Sequence, residues 1–280
     1  MTLARACRLY GITRQAVYQR LDRAKRRQQE LEPVVEMVQE LRRPLRRIGT
    51  RKIYHLIKPE LERRSIKLGR DGLFTLLRER KLLISPRKSY TKTTNSKHWM
   101  RKHPNLLADL TVTEPEQAFV SDITYVESRE GVHYLSLVTD AGSRKIMGHT
   151  LSRDMKSTHM VRAMKRAVQA RITERSLIHH SDRGLQYCSA EYQEVLNKNG
   201  IRPSMTDGYD CYQNALAERV NGILKQEFLL EKCNTFDELK QVIDESVELY
   251  NGLRPHLSLG MKTPNQAHKE GRLPSAVGLP

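Results

Sequence analysis

Between residues 118 and 152 the chain carries three β-type runs in quick succession, AFVSDITYVES, VHYLSLVTDA and KIMGHTLS, separated by REG and GSR. Connections that short leave room only for antiparallel neighbours, so an antiparallel meander is predicted. The periodicity then changes. An amphipathic helix is predicted over about 155–171, a strand at 176–181, a helix at 189–199, a short strand near 201–206 and a long helix over about 212–230. A meander followed by alternating helices and strands makes a mixed α/β sheet.

The chain before residue 105 has a different character. Residues 1–104 hold 28 Lys and Arg against 9 Asp and Glu, whereas 105–280 hold 21 against 23. A basic segment joined to a near-neutral one is the electrostatic footprint of a nucleic-acid-binding part attached to a part with another task; a solubilising basic face is the plainer alternative. Residues 2–28 read as a short helix, a turn at Gly11 and a second helix capped by Thr13. Val17 and Leu21 would face inward. Arg14, Gln15, Tyr18 and Gln19 lie where a helix-turn-helix presents side chains to a major groove, although an ordinary helical hairpin has the same pattern. Val34, Met37, Val38 and Leu41 continue at helical spacing until Pro44 and Gly49 break it. A second helical unit follows over 49–83, with Arg51 and Lys52 at its start and breakers at Gly69 and Gly72, and is a second candidate DNA-binding module. Residues 85–104 are basic and weakly periodic. They read as a linker whose charges, among them Arg87 and Lys88, track phosphates, with Tyr90 and Trp99 stacking or packing, or as a plain tether. The resulting division is 1–48 helix-turn-helix and helix, 49–84 second helical module, 85–107 linker, 108–235 mixed α/β core, and 236–280 C-terminal helix and tail.

Other classes are disfavoured. Cys7, Cys188, Cys211 and Cys233 form no C-x-x-C pair, and His179, His180 and Cys188 match no common zinc spacing. No apolar run approaches the roughly 18–20 residues of a membrane helix, and residues 1–14 lack the apolar stretch of a signal peptide. A soluble protein of a reducing cytosol, with no membrane partner, is expected.

Two carboxylates stand out by position. Asp122 lies mid-strand in VSDITYV, where an unpartnered charge is costly, and Asp182 closes the fourth strand in HHSDRGLQY. Strand C-terminal ends face the ligand crevice of α/β sheets. The predicted element order is that of a ribonuclease-H-like fold, in which the first and fourth strands are adjacent, so the two aspartates would lie side by side. Close carboxylates repel unless a cation sits between them, and hard oxygen ligands select Mg²⁺ or Mn²⁺. A third acid would come from a helix. In YQNALAERVNGILKQEF, Asn214, Glu218, Asn221 and Lys225 share one face and Leu216, Val220, Ile223 and Leu224 the other. Periodicity alone reads that polar stripe as solvated surface. Asp140 in VTDAGSR reads as a turn cap, and Asp207 and Asp210 as turn residues or weak DNA-proximal charges.

The surroundings of the three acids change that balance. Thirty-five residues separate Asp182 from Glu218, and Lys225 follows Glu218 by seven. With DITYV, HSDRGLQY, SMTDGYDCYQNALAERVNGILKQE and YNGLRPHLSLGMKTP, the chain from about residue 44 to 268 resembles the DDE transposases and retroviral-type integrases, above all bacterial insertion-sequence transposases of the third family. Phe119 stands where that family usually has Trp. The resemblance implies a ribonuclease-H-like catalytic core preceded by all-α DNA-binding segments. It implies Asp122, Asp182 and Glu218 as ligands of two catalytic Mg²⁺ ions, with Mn²⁺ a substitute, and Lys225, with Asn214 less firmly, as contacts near the active site. Further implications are cleavage and strand transfer at the element's ends through a joined or circular form, double-stranded DNA as partner at both terminal repeats and target, and at least a dimer on DNA. An upstream helix-turn-helix and coiled-coil partner or fusion, and a place at the nucleoid in the bacterial cytoplasm, complete the set. A DNA-binding regulator and a structure-specific nuclease of the same fold are the alternatives; strand-transfer products separate them.

Overall fold

The computed structural model describes residues 2–85, 103–108, 110–206 and 214–271, which fall into two compact units divided between Ile84 and Ser85.

The first unit is helical: α1 (Leu3–Leu9), α2 (Arg14–Arg42), α3 (Thr50–Arg63) and α4 (Arg70–Glu79). Gly11 takes a left-handed φ of 63°, and the Thr13 side chain accepts from the Ala16 amide at 3.1 Å, so turn and cap fall where the sequence places them. The rest differs from expectation. What reads as two helices is one of 29 residues, continuous through Pro33, and its buried residues are Val34, Val35 and Val38 in the second half. Val17 is half-buried and Leu21, expected to face inward, is 59 % exposed. Leu21 has no apolar face to meet, because α1 buries only Cys7 and residues 19–30 are almost wholly polar. The core forms instead where α3 brings Ile53, Ile57 and Leu61, at spacing i, i+4, i+8, and α4 brings Leu73, Leu76 and Leu77. Arg42 donates to the Leu82 carbonyl at 2.7 Å, and Arg80 pairs with Glu32. The segments separated in the sequence at residue 48 thus share one core.

The second unit holds β1 (Ala118–Ser128), β2 (Gly131–Asp140), β3 (Ile146–Ser152), α5 (Ser157–Gln169), β4 (Ile178–Ser181), α6 (Leu185–Cys188), α7 (Ala190–Lys198), β5 (Arg202–Met205), α8 (Ala215–Ile223), α9 (Phe236–Gly252) and α10 (Pro264–Glu270). The strands form one sheet in the order β3-β2-β1-β4-β5, antiparallel through β2 and parallel through β4 and β5. That is the predicted mixed sheet with its first and fourth strands adjacent. On one face α5 and α7 bury Met160, Met164, Tyr192 and Leu196 against Phe119 and Met147; on the other, α8 and α9 bury Val220, Ile243 and Tyr250 against Leu135 and Leu137. Phe119 is fully buried in that core. Gly148 permits α5 to lie directly on β3, since a Cβ there would stand 2.1 Å from the Ala163 carbonyl oxygen. Pro104 accepts from the Met205 amide at 3.3 Å and Leu107 is buried, so the end of the predicted linker packs onto the sheet unit.

The helix expected over 212–230 is shorter. It runs as α8 to Ile223 and then widens into a π turn, Leu224–Phe228, in which the Leu229 amide donates to the Leu224 carbonyl at 2.9 Å. Arg87, Lys88, Tyr90, Trp99, Asp207 and Asp210 lie outside the described residues.

Candidate active site

The parallel pairing Val120↔His180, carried forward two residues, sets Asp182 beside Asp122. Asp122 is on β1 opposite Leu137 of β2, and Asp182 stands one residue beyond the end of β4. The Gly184 amide donates to Asp182 Oδ1 at 3.0 Å, and a Cβ on Gly184 would lie 3.0 Å from that same oxygen, so the glycine sets one edge of the carboxylate. Glu218 is in the first turn of α8, on the exposed side. The three acids sense one another. Burial, then Asp182, then Glu218 push the Asp122 carboxyl up to about 7, although the Ile123 amide and Asn221 pull the other way. Glu218 is raised by desolvation first and by Asp182 second. Among the described residues no three His, Cys, Asp or Glu side chains converge into a ready-made coordination shell. The donor set nevertheless suits a hard divalent cation: mutually repelling carboxylates gain most from a positive charge placed among them.

Residues 112–211 match a family model described as Integrase core domain, and a second model of the same description matches 199–264. The chain is 33 % identical to the insertion element IS600 uncharacterized 31 kDa protein of Shigella sonnei, over 92 % of this chain and 95 % of that one. It is 32 % identical to transposase InsF for insertion sequence IS3A of Escherichia coli K12, over 68 % of this chain and 67 % of that one. The chain belongs to the IS3-type DDE transposases. A chain of the simian T-cell lymphotropic virus intasome superposes with a TM-score of 0.50 at 22 % identity, covering 66 % of this chain and 64 % of that one, a likeness of fold. The transposase acts on DNA by polynucleotidyl transfer, in transposition and integration.

Around the acids the transposase core adds supports that periodicity does not reveal. Asn221, counted only as part of a polar stripe, donates from Nδ2 to Asp122 Oδ2 at 2.7 Å. Asn214, at the N-cap position of α8, donates to the Ser121 carbonyl at 3.2 Å. Both amides are buried, and their Oδ1 atoms have no hydrogen-bond partner among the described residues. Beneath the aspartates, His179 Nε2 is hydrogen-bonded to Ser121 Oγ at 2.8 Å and to the Tyr192 hydroxyl at 2.9 Å. Burial, with His180 second, pushes the His179 imidazole down to about 3, so it is a neutral prop. His180 is hydrogen-bonded to Ser204 Oγ at 2.8 Å. These contacts give the two histidines ahead of Asp182 structural partners, their only sequence signal being a place in a buried strand.

Lys225 sits half-buried in the π turn. Desolvation lowers its amine, while Asp122 and Glu127 are close enough to oppose the shift. Asp140 is the turn cap the sequence suggests: it accepts from the Ser143 amide at 3.0 Å and the Glu116 amide at 3.0 Å. In the helical unit Arg14, Gln15, Tyr18 and Gln19 are exposed along the first turns of α2, Arg51 is exposed and Lys52 half-buried at the start of α3. No helix among the described residues is long and apolar enough to cross a membrane.

Proposed function

We propose that Asp122, Asp182 and Glu218 are the catalytic carboxylates of the transposase and hold two divalent cations, Mg²⁺ with Mn²⁺ as substitute. The observation that carries this reading is geometric: the parallel pairing of β1 with β4 sets Asp182 beside Asp122, with Glu218 near enough on α8 to add, after burial and Asp182, to the rise of the Asp122 carboxyl. Bound cations would activate an attacking oxygen and stabilise the departing 3′ oxygen of an in-line phosphodiester displacement. The chain's own residues supply position. Asp122 is held by Asn221 and its own strand, Asp182 by the Gly184 amide, and Glu218 completes the set from α8. Because the site acts on phosphates, one arrangement serves both steps: water as nucleophile nicks an element end, and the freed 3′-OH then joins that end to another phosphate.

Lys225 contacts a DNA phosphate beside the acids, with Asn214 supporting the same strand. Arg14, Gln15, Tyr18 and Gln19 contact the terminal repeats, and Arg51, Lys52, Arg87 and Lys88 add phosphate contacts whose affinity falls with salt. Two ends to be joined call for at least a dimer on DNA. The complex works at the nucleoid in the bacterial cytoplasm, alone or with an upstream helix-turn-helix and coiled-coil partner. The test is an assay of purified protein with Mg²⁺ and labelled duplex carrying the element's own ends. Wild type gives nicked and joined products; Glu218→Gln binds the duplex and loses both by about three orders of magnitude or more. Equal product from the two proteins, or cleavage that survives chelation, would overturn the assignment.

A further inference from the structure

The stretch YNGLRPH closes α9, and Tyr250, Asn251, Arg254 and His256 within it are all buried. Asn251 meets the outer edge of β3 as another strand would. Its Oδ1 accepts from the Ile146 amide at 2.9 Å and its Nδ2 donates to the Ile146 carbonyl at 3.0 Å. The Tyr250 hydroxyl donates to the Arg144 carbonyl at 3.0 Å. The end of α9 is therefore fastened to the sheet.

From that base Arg254 reaches the π turn. Its Nε donates to Glu227 Oε2 at 2.8 Å and its Nη2 to Oε1 at 2.6 Å, a two-pronged pair in which the arginine side chain is 4 % exposed. Nη1 is hydrogen-bonded to His256 Nε2 at 3.1 Å, and the guanidinium lies 5.9 Å from the Tyr250 ring centroid. A forked pair fixes orientation as well as distance, which a single ammonium contact does not. Glu227 belongs to the same five-residue turn as Lys225, two positions earlier. Wide turns of this kind are rare and concentrate at functional sites, where their surroundings hold them.

We propose that Arg254 is a positioning residue for transposition: by gripping Glu227 it holds the π turn, and through it Lys225, in the orientation that meets the DNA phosphate. The proposal rests on the reading of Lys225 as a phosphate contact. It gives the YNGLRPH stretch one task, a strut from the edge of β3 to the lysine.

A double-mutant cycle on the full chain tests it, with Mg²⁺ and duplex carrying the element's ends, reading joined product and the slope of binding affinity against salt. Lys225→Ala lowers joining about tenfold and reduces the magnitude of the salt slope by about one. Glu227→Gln reproduces both losses, and the double variant is no worse than either single. Arg254→Lys keeps the charge and loses the fork; it shows the same dependence on Lys225 and stands in if Glu227→Gln does not fold. If Glu227→Gln or Arg254→Lys costs the same factor with and without Lys225 and leaves the salt slope unmoved, the clamp is merely structural and the proposal falls while Lys225 keeps its role. If Lys225→Ala changes neither joining nor slope, the reading of Lys225 fails and the proposal goes with it.

Discussion

Asp122 and Arg14 are both ionisable side chains proposed to serve the reaction on DNA, one at the candidate catalytic site and one as a DNA contact, and the molecule treats them oppositely. Asp122 stands on a central strand, braced by Asn221, with a neutral His179 prop under its neighbour Ser121. Arg14 stands on the exposed first turn of a helix whose buried residues begin twenty positions later. Catalytic groups must be positioned before substrate arrives, because geometry lost there is lost from the rate. Recognition groups can be ordered by the partner they meet, at some cost in affinity.

If that contrast holds, the largest effect of a small change lies in the sheet. Gly148→Val puts side-chain atoms into the Ala163 carbonyl and the Ala167 amide, backbone groups that no rotamer change can move aside. The expected cost is about 3 kcal/mol or more, read as loss of the sheet unit's cooperative thermal transition. A wild-type melting curve would show that the sheet yields more readily than its packing implies.

A smaller effect concerns the Asp122 proton. Its carboxyl is pushed up to about 7 in the folded protein, above the roughly 3.9 of an unfolded chain, so the native state binds a proton the unfolded state releases. That stabilisation is present in acid and is lost as pH rises through 7. Metal-free protein should lose on the order of 1–3 kcal/mol between about pH 5 and pH 8, and Mg²⁺ should restore it at the upper end. Asp122→Asn should flatten the pH dependence and blunt the Mg²⁺ response; an unchanged slope in that variant would place the titration elsewhere.

The smallest change in stability belongs to the exposed first half of α2. Leu21→Ser should leave the melting temperature within about a degree, as for surface positions generally, and Arg14→Ala should do the same while weakening binding to the element's ends about tenfold. A fall of several degrees for Leu21→Ser would mean that this leucine packs, and the contrast would narrow.

How much of this was legible in the sequence follows the same divide. β1 and the order of strands were readable because alternation, short turns and a change of period leave few topologies. The neighbouring placement of Asp122 and Asp182 is readable from the strand pattern, whereas Glu218 stands out only through the family motif, because periodicity reads its stripe as surface. Leu21 is exposed despite its helical register because spacing says which residues share a face, not whether any element covers it. Asn221 reads as polar but not as the brace of Asp122, and nothing local shows the π turn at Leu224–Phe228, whose Glu227 pairs with an arginine 27 positions further along the chain. Long-range hydrogen bonds of this kind leave no local period.

The most direct measurement is an anomalous-scattering map of Mn²⁺-soaked crystals of the transposase bound to its end DNA. The account predicts two peaks about 3.5–4 Å apart, bounded by Asp122, Asp182 and Glu218 and absent in Asp122→Asn. Mn²⁺ bound away from these three carboxylates, or peaks unchanged in that variant, would contradict it.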